Sequence, residues 1–132
     1  MSVVEKVRAL RLPSDDYAVI GSGLLDAWGL RGSSDVDAVV SAKLFDELAE
    51  DSRFRIGSKH GDRFLECEDY EIFENWGARE EDSFAALLRE SVVGDGVRFV
   101  SPHYLVKKKN ARGWEKDLRD VELLKEKLGN DA

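Results

Sequence analysis

A pair of aspartates at the start of an apolar run constrains the fold more than any other feature of the sequence. Asp35 and Asp37 flank Val36 and lead directly into the apolar residues 38–40. Alternate residues of a β-strand point to one face, so the two carboxylates would lie roughly 6.5–7 Å apart on the same side. Aspartate is unfavourable in strands, and neighbouring like charges repel. The pattern predicts a largely buried strand over 35–40 with a charge-compensated acidic end.

A divalent cation is the usual compensation for such a pair of carboxylates. Hard oxygen ligands favour Mg²⁺ or Mn²⁺ over zinc. The alternative is a solvated strand end that faces a loop and binds nothing. The sequence of this segment alone leaves both interpretations open.

A second candidate feature is the turn at Gly21 and Ser22. Residues 17–20 are β-prone, and the apolar spacing after Ser22 predicts a short helix closed by Gly29. Glycine permits a tight turn and the close approach of a ligand, while a helix start offers free N–H groups to a phosphate. Ser22 can add a hydroxyl donor. Strand–glycine–helix turns are common in α/β domains, however, and most of them bind nothing.

Helical and extended patterns alternate along the rest of the chain. Helices are predicted over the first dozen residues, after Ser41, over 84–92, after Ser101-Pro102, and in a final helix with Trp114, Leu118, Val121, Leu124 and Leu128 on one face. Strands are predicted over 17–20, 35–40, 54–56, 64–67, 70–76 and 97–100. This alternation predicts one α/β domain spanning residues 1–132, with a small mixed β-sheet packed by helices.

Composition and charge narrow the function classes. A chain of 132 residues has room for one domain, and no apolar run approaches the roughly 20 residues of a membrane-spanning helix. The net charge of −7 argues against a general nucleic-acid coat or an anionic-membrane binder. The single cysteine, Cys67, excludes an intramolecular disulfide and a cysteine-rich zinc site. Without a secretory signal pattern at the N-terminus, we expect a cytoplasmic protein with no membrane association.

The charges are unevenly spread. Residues 66–82 hold eight acids and one base, whereas residues 101–112 hold four bases and no acid. Such a split suits a metal-and-phosphate site built between the two segments. Two solvated faces of opposite sign are the alternative.

The combination of these motifs resembles a known signature. Gly21-Ser22, followed by twelve residues and then Asp35-x-Asp37 before a hydrophobic strand, resembles the nucleotidyltransferase (polymerase-β-like) superfamily. The resemblance implies a nucleotidyltransferase-like fold in which Gly21 and Ser22 hold a triphosphate and the two aspartates bind divalent metal. It also implies a third carboxylate on a neighbouring strand, and Tyr70-Glu71-Ile72 has the expected form. Glu71 stands where aspartate is more usual in that family.

The C-terminal part is similar to the tail of the small, abortive-infection-type branch of that superfamily. By spacing from Ser101 and Lys116, the recurrent lysine of the branch falls on Lys109, with Lys107 and Lys108 as close alternatives. Trp114 stands where the branch often has arginine before the Lys-Asp pair.

The resemblance implies a Mg²⁺- or Mn²⁺-dependent enzyme that moves a nucleoside monophosphate from a nucleoside triphosphate to an acceptor hydroxyl. Asp35, Asp37 and Glu71 would bind the metal, and Lys109 would balance charge on the triphosphate. The acceptor is left open among protein, RNA and small molecule, with a partner protein or a homodimer mate as a source of acceptor choice. The setting implied is defence or toxin–antitoxin. The alternative is a catalytically weak or inactive binding module of the same fold.

Three further acids are alternatives to Glu71 as the third carboxylate, and one tryptophan is a candidate for stacking on a nucleobase. Glu74 is out of phase with Glu71 on one strand, and Glu66 and Glu68 are expected to face solvent. The tryptophans Trp28, Trp76 and Trp114 are expected in the core, with Trp76 as the best candidate for stacking on a nucleobase.

Overall fold

The computed structural model of the chain describes residues 2–59, 62–76 and 79–130. Its helices are α1 (Val3–Leu10), α2 (Gly23–Ala27), α3 (Ala42–Ala49), α4 (Phe84–Arg89), α5 (Pro102–Arg112) and α6 (Glu115–Asn130). Its strands are β1 (Tyr17–Ile20), β2 (Val36–Val40), β3 (Arg55–Lys59), β4 (Asp62–Cys67), β5 (Tyr70–Phe73), β6 (Val92–Gly94) and β7 (Val97–Phe99). Across these ranges, none of the helices has the length and apolar character required to cross a bilayer.

The seven strands form one mixed sheet in the order β3-β4-β5-β2-β1-β7-β6. The pairs β2–β5 and β1–β7 are parallel, and the other four pairs are antiparallel. The sheet and the helices that pack on it confirm the α/β class and the mixed sheet predicted from the alternating patterns.

The two central strands, β1 and β2, are buried along their length except at one residue. Asp37 is half-buried, and it is the only charged residue of either strand. Its Cα lies opposite Ile20 at the end of β1 and opposite Glu71 near the start of β5. Directly opposed residues share a face of the sheet. The register therefore gathers the end of β1 and the starts of β2 and β5 at one edge of the core.

Helices α1 and α2 pack on the face of the sheet that carries Val19, and Gly23 allows α2 to lie close to β1 and α1. A Cβ added to Gly23, the first residue of α2, would lie 2.7 Å from Val19 Cγ1 and 3.1 Å from Val3 Cγ1. Both valines are buried. The missing side chain at Gly23 thus sets how near α2, and with it Ser22, sits to the sheet.

Two predicted elements end earlier than the sequence indicated. The strand predicted over 70–76 stops at Phe73, and the helix predicted over 84–92 stops at Arg89. Val92 lies instead in β6, which pairs with β7 across a turn where Asp95 and Gly96 both have positive φ. An Asp-Gly pair at such a turn is a strong hairpin signal, and it overrides the helical spacing of Val92.

The buried face of the last helix also differs from the prediction. Trp114, just before α6, is 57% exposed and Leu118 is 47% exposed, whereas Asp117 and Asp120 are buried beside Val121 and Leu124. Gly113, with φ 69°, ends α5 and separates it from α6. Ion pairs described below hold the two aspartates inside, and they turn Trp114 and Leu118 outward.

Gly23→Ala should destabilise the protein by about 1–3 kcal/mol, because the new methyl group overpacks the contact with Val19 and Val3. Urea unfolding at neutral pH measures this change. Gly32→Ala is the matched control, since a Cβ at Gly32 meets no atom within 4 Å. Equal stability of the two variants would contradict the packing role assigned to Gly23.

Candidate active site

The turn after β1 packs directly on Asp37. Gly21 has φ +69°, and a Cβ added to it would lie 3.0 Å from Asp37 Oδ2. Any other residue would be strained at that φ and would press on the carboxylate. Gly21 therefore lets the backbone that leads into Ser22 run against the half-buried aspartate, as a ligand-binding turn requires.

The predicted carboxylates lie on neighbouring parts of the sheet. Glu71 is half-buried and directly opposite Asp37 on the adjacent parallel strand, which places the two backbones roughly 4.8 Å apart. Asp35 is exposed and immediately precedes β2. Within residues 2–59, 62–76 and 79–130, however, no three His, Cys, Asp or Glu side chains are grouped closely enough to hold a metal ion. The metal assignment of Asp35, Asp37 and Glu71 stays a prediction, and their oxygen donors suit Mg²⁺ or Mn²⁺.

A lysine of α1 fixes the backbone on both sides of these carboxylates. Lys6 Nζ donates to the carbonyl oxygen of Ser34 at 2.6 Å and to Asp69 Oδ2 at 2.7 Å. The Val36 N–H donates to the Asp69 carbonyl at 2.8 Å. The hydrogen bond to Asp69, with a smaller contribution from the charge of Asp35, raises the pKa of Lys6 above its usual value. The lysine thus ties the lead-ins of β2 and β5 and offsets part of the negative charge there.

Two cations converge on the hydroxyl of Ser22. Arg31 Nη2 donates to Ser22 Oγ at 2.8 Å, and Lys109 Nζ lies 3.4 Å from the same oxygen. Lys109 is buried. The structure therefore brings together Gly21, Ser22 and Lys109, which the sequence analysis grouped as triphosphate ligands, and it adds Arg31. We call Ser22, Arg31 and Lys109 the cationic cradle.

Asp120 of α6 holds both cations of the cradle. Its carboxylate accepts two hydrogen bonds from Arg31, at 2.6 and 2.8 Å, and one from Lys109 Nζ at 3.0 Å. Burial acts to raise the pKa of Asp120, but the hydrogen bonds from Arg31 and Lys109 outweigh it, so the pKa lies below the usual range. Asp120 therefore stays ionised and orients the guanidinium and the ammonium toward Ser22.

Asp117 extends this network to the end of α5. It accepts two hydrogen bonds from Arg112, at 2.6 and 2.7 Å, and one from the Trp114 N–H at 3.2 Å. Its Oδ1 lies 4.0 Å from Lys109 Nζ. The hydrogen bonds from Arg112 lower the pKa of Asp117 despite its burial.

The three consecutive lysines point in different directions. Lys107 donates to Glu81 and Lys108 pairs with Asp82 at 2.6 Å, on the side of the turn Glu80–Asp82, whereas Lys109 contacts Ser22. Successive helical residues point about 100° apart, so such a split is expected of α5. The geometry distinguishes Lys109 from the two alternatives that the sequence left open.

The rival acids have other partners. Glu66 lies opposite Glu71 on β4 but pairs with Arg55 at 2.9 Å. Glu74 pairs with Arg63 at 2.8 Å. Trp76 is half-exposed and contacts Phe73 edge-on, so the expectation of a core position is wrong for Trp76 as it is for Trp114.

Arg31, Asp117 and Asp120 were not predicted as site residues from the sequence, although their segments were part of the resemblance. One signal was available: Asp117, Asp120, Val121 and Leu124 follow the i, i+3, i+4, i+7 spacing of one helical face. Acids at two positions of a buried face require partners, and the basic segment 101–112 contains them.

Comparisons with known proteins support the fold. No protein-family model matches the chain, and no curated protein matches its sequence. Among solved structures, it is similar to the nucleotidyltransferase ANT(2″)-Ia in complex with adenylyl-2″-tobramycin, with a TM-score of 0.58 and 19% sequence identity. The match covers 98% of this chain and 87% of the other. The protein therefore has a nucleotidyltransferase-like fold.

Asp120→Asn should destabilise the protein at pH 7 by about 3 kcal/mol, because it leaves the buried Lys109 and the adjoining Arg31 without their counterion. Since folding lowers the pKa of Asp120, its stabilising effect is complete above the unfolded value of about 3.9 and is lost as the pH falls through the folded value. Urea unfolding at pH 7 and pH 3 should therefore show a smaller loss of stability on acidification in the variant than in the wild type.

Glu122→Gln, at an exposed position of the same helix, is the control and should follow the wild-type pH dependence. An unchanged acid response in Asp120→Asn would contradict the role of Asp120 as the counterion of the cradle.

Proposed function

We propose that the protein is a divalent-metal-dependent nucleotidyltransferase that transfers a nucleoside monophosphate from a nucleoside triphosphate to an acceptor hydroxyl. One observation carries the proposal: the cationic cradle sits on the Gly21 turn, which packs on Asp37 opposite Glu71. A site for phosphate oxygens and a site for hard cations thus share one short stretch of backbone.

The cradle supplies the phosphate side of the reaction. Arg31 and Lys109 are charged donors whose directions are set by Asp120 before any ligand arrives. Charge-assisted hydrogen bonds of this kind are stronger than neutral ones, and preorganised donors stabilise charge that develops on a leaving group. In the proposal they bind the triphosphate and stabilise the pyrophosphate as it leaves.

The carboxylates supply the acceptor side. Asp35, Asp37 and Glu71 would hold Mg²⁺ or Mn²⁺, which when bound acts as a Lewis acid on the phosphoryl oxygens. The acceptor oxygen forms a bond to the α-phosphorus, the bond from that phosphorus to the bridging oxygen breaks, and pyrophosphate leaves. The acceptor proton passes to Asp37 or Glu71, the two of these three carboxylates that are half-buried.

Two findings bear on the acceptor and its setting. The structure of ANT(2″)-Ia contains an adenylylated small molecule, which makes small-molecule hydroxyls the first acceptors to try. The resemblance to the abortive-infection branch suggests a defence or toxin–antitoxin setting, and it leaves protein, RNA and small-molecule acceptors open. In either case a homodimer mate or a partner protein could complete the acceptor site.

A binding module of the same fold is the second candidate. It is favoured by the fact that the residues described include no group of three metal-ligating side chains at ligating range. Incubating the protein with α-³²P-labelled triphosphates, Mg²⁺ and a cell extract separates the two functions. Transfer of label to a macromolecule or small molecule supports the enzyme. A triphosphate-dependent rise in Tm without any transfer identifies the module.

The double variant Asp35→Ala/Asp37→Ala should lose label transfer completely, because it removes two of the three proposed metal ligands. Its Tm in the absence of metal should equal or exceed that of the wild type, since the substitution relieves repulsion among carboxylates. Measured turnover of nucleotide by this variant would contradict the assignment of the site.

Lys109→Ala should lower kcat/KM for the triphosphate by about 10²-fold, the usual cost of removing one charged donor from such a site. Lys107→Ala is the matched control, two residues away on α5 and paired with Glu81 at the surface, and it should keep wild-type kinetics. Circular dichroism checks that both variants are folded. Equal losses in the two variants would show that the cradle does not bind the substrate.

A further inference from the structure

Trp114 lies exposed beside the candidate site, and it is held in place. Its ring is 57% exposed at the junction of α5 and α6, and Leu118, one turn further, is 47% exposed. The Trp114 N–H donates to Asp117 Oδ2 at 3.2 Å. The backbone of Trp114 is thus anchored to a buried carboxylate, and its exposed indole offers a surface for a flat ligand.

Two cations lie over the ring of Trp114. The Arg112 guanidinium carbon lies 4.4 Å from the ring centroid of Trp114, and Lys116 Nζ lies 5.4 Å from it. Arg112 is fixed in turn by its two hydrogen bonds to Asp117. This surface therefore combines an aromatic face with positive charge, which suits a ligand that is both aromatic and anionic.

The same carboxylate links the backbone of Trp114 to the cationic cradle. Asp117 Oδ1 lies 4.0 Å from Lys109 Nζ, and that nitrogen lies 3.4 Å from Ser22 Oγ. Asp117 thus holds the Trp114 backbone and Arg112 on one side and neighbours Lys109 on the other. The aromatic surface and the phosphate-binding groups belong to one continuous network.

We propose that Trp114 stacks on the nucleobase of the triphosphate whose phosphates bind Ser22, Arg31 and Lys109. The inference rests on the proposed function and extends it to the part of the substrate that does not react. Every nucleobase offers a π face, so stacking adds affinity without selecting one base strictly. Trp76, favoured by the sequence, follows the far end of β5 from Glu71 and packs its ring edge-on with Phe73.

The test compares a ligand that has a base with one that has none. Isothermal titration in Mg²⁺ measures the Kd of each nucleoside triphosphate and of inorganic tripolyphosphate for the wild type, Trp114→Ala, Trp114→Phe and Leu118→Ala. Trp114→Ala should bind the best triphosphate roughly 5-fold to 150-fold more weakly, the range that base stacking contributes, and should bind tripolyphosphate within about twofold of the wild type. Trp114→Phe should retain most of the affinity, and Leu118→Ala should retain all of it.

Three results would overturn the inference and leave the proposed function standing. Unchanged triphosphate binding by Trp114→Ala would exclude stacking. An equal loss for tripolyphosphate would mean that Trp114 acts on the phosphates through Asp117. A drop from dimer to monomer in light scattering, shared by Trp114→Ala and Leu118→Ala, would mean that a second copy covers the ring. Failure of the wild type to bind any triphosphate would instead overturn both proposals.

Discussion

The candidate site depends on the ion pairs that the buried carboxylate of Asp120 forms with Arg31 and Lys109. Removing an ion from water costs several kcal/mol, and only well-placed partners offset that cost. The partners of Asp120 come from two other parts of the chain: Arg31 precedes β2, and Lys109 lies in the last turn of α5. Loss of Asp120 removes the counterion that the two cations share, and loss of either cation leaves Asp120 with one partner. The C-terminal helices are therefore bound to the Ser22 turn by electrostatics, and Leu105 and Leu124 join them to the apolar core.

Acidic side chains lie on one side of the Gly21–Ser22 turn and basic side chains on the other. On one side the parallel register of β2 and β5 sets Asp37 against Glu71, and Lys6 of α1 joins the segments that lead into both strands. On the other side α5 supplies Lys109, the segment before β2 supplies Arg31, and α6 supplies their counterion Asp120. Neither the acidic side nor the basic side is formed by one local segment. The acidic and basic groups therefore come to lie on two sides of the turn only when the sheet forms.

The sequence allowed the local parts of this arrangement to be predicted. Short-range patterns predicted strand 17–20, the turn after it and the pair Asp35 and Asp37. The family resemblance selected Lys109 from the three consecutive lysines. The structure confirms the strand and the α/β fold, and it places Lys109 at Ser22. The helical spacing of Asp120 with Val121 and Leu124 indicates a buried face, but it does not identify the partner Arg31, which lies 89 residues earlier. The exposed position of Trp114 was not predicted for the same reason. Because Asp117 and Asp120 are buried, Trp114 and Leu118 face outward instead.

The closeness of the carboxylates to the cationic cradle affects how ligands would bind. Asp37 packs on the turn at which a triphosphate would sit, with Glu71 opposite it, and the cradle's two cations are already shared with Asp120. In the proposed function, a divalent cation bound by these carboxylates would offset their negative charge beside the phosphates. Because the coupling between two bound ligands is reciprocal, the cation and the triphosphate would then each raise the affinity for the other.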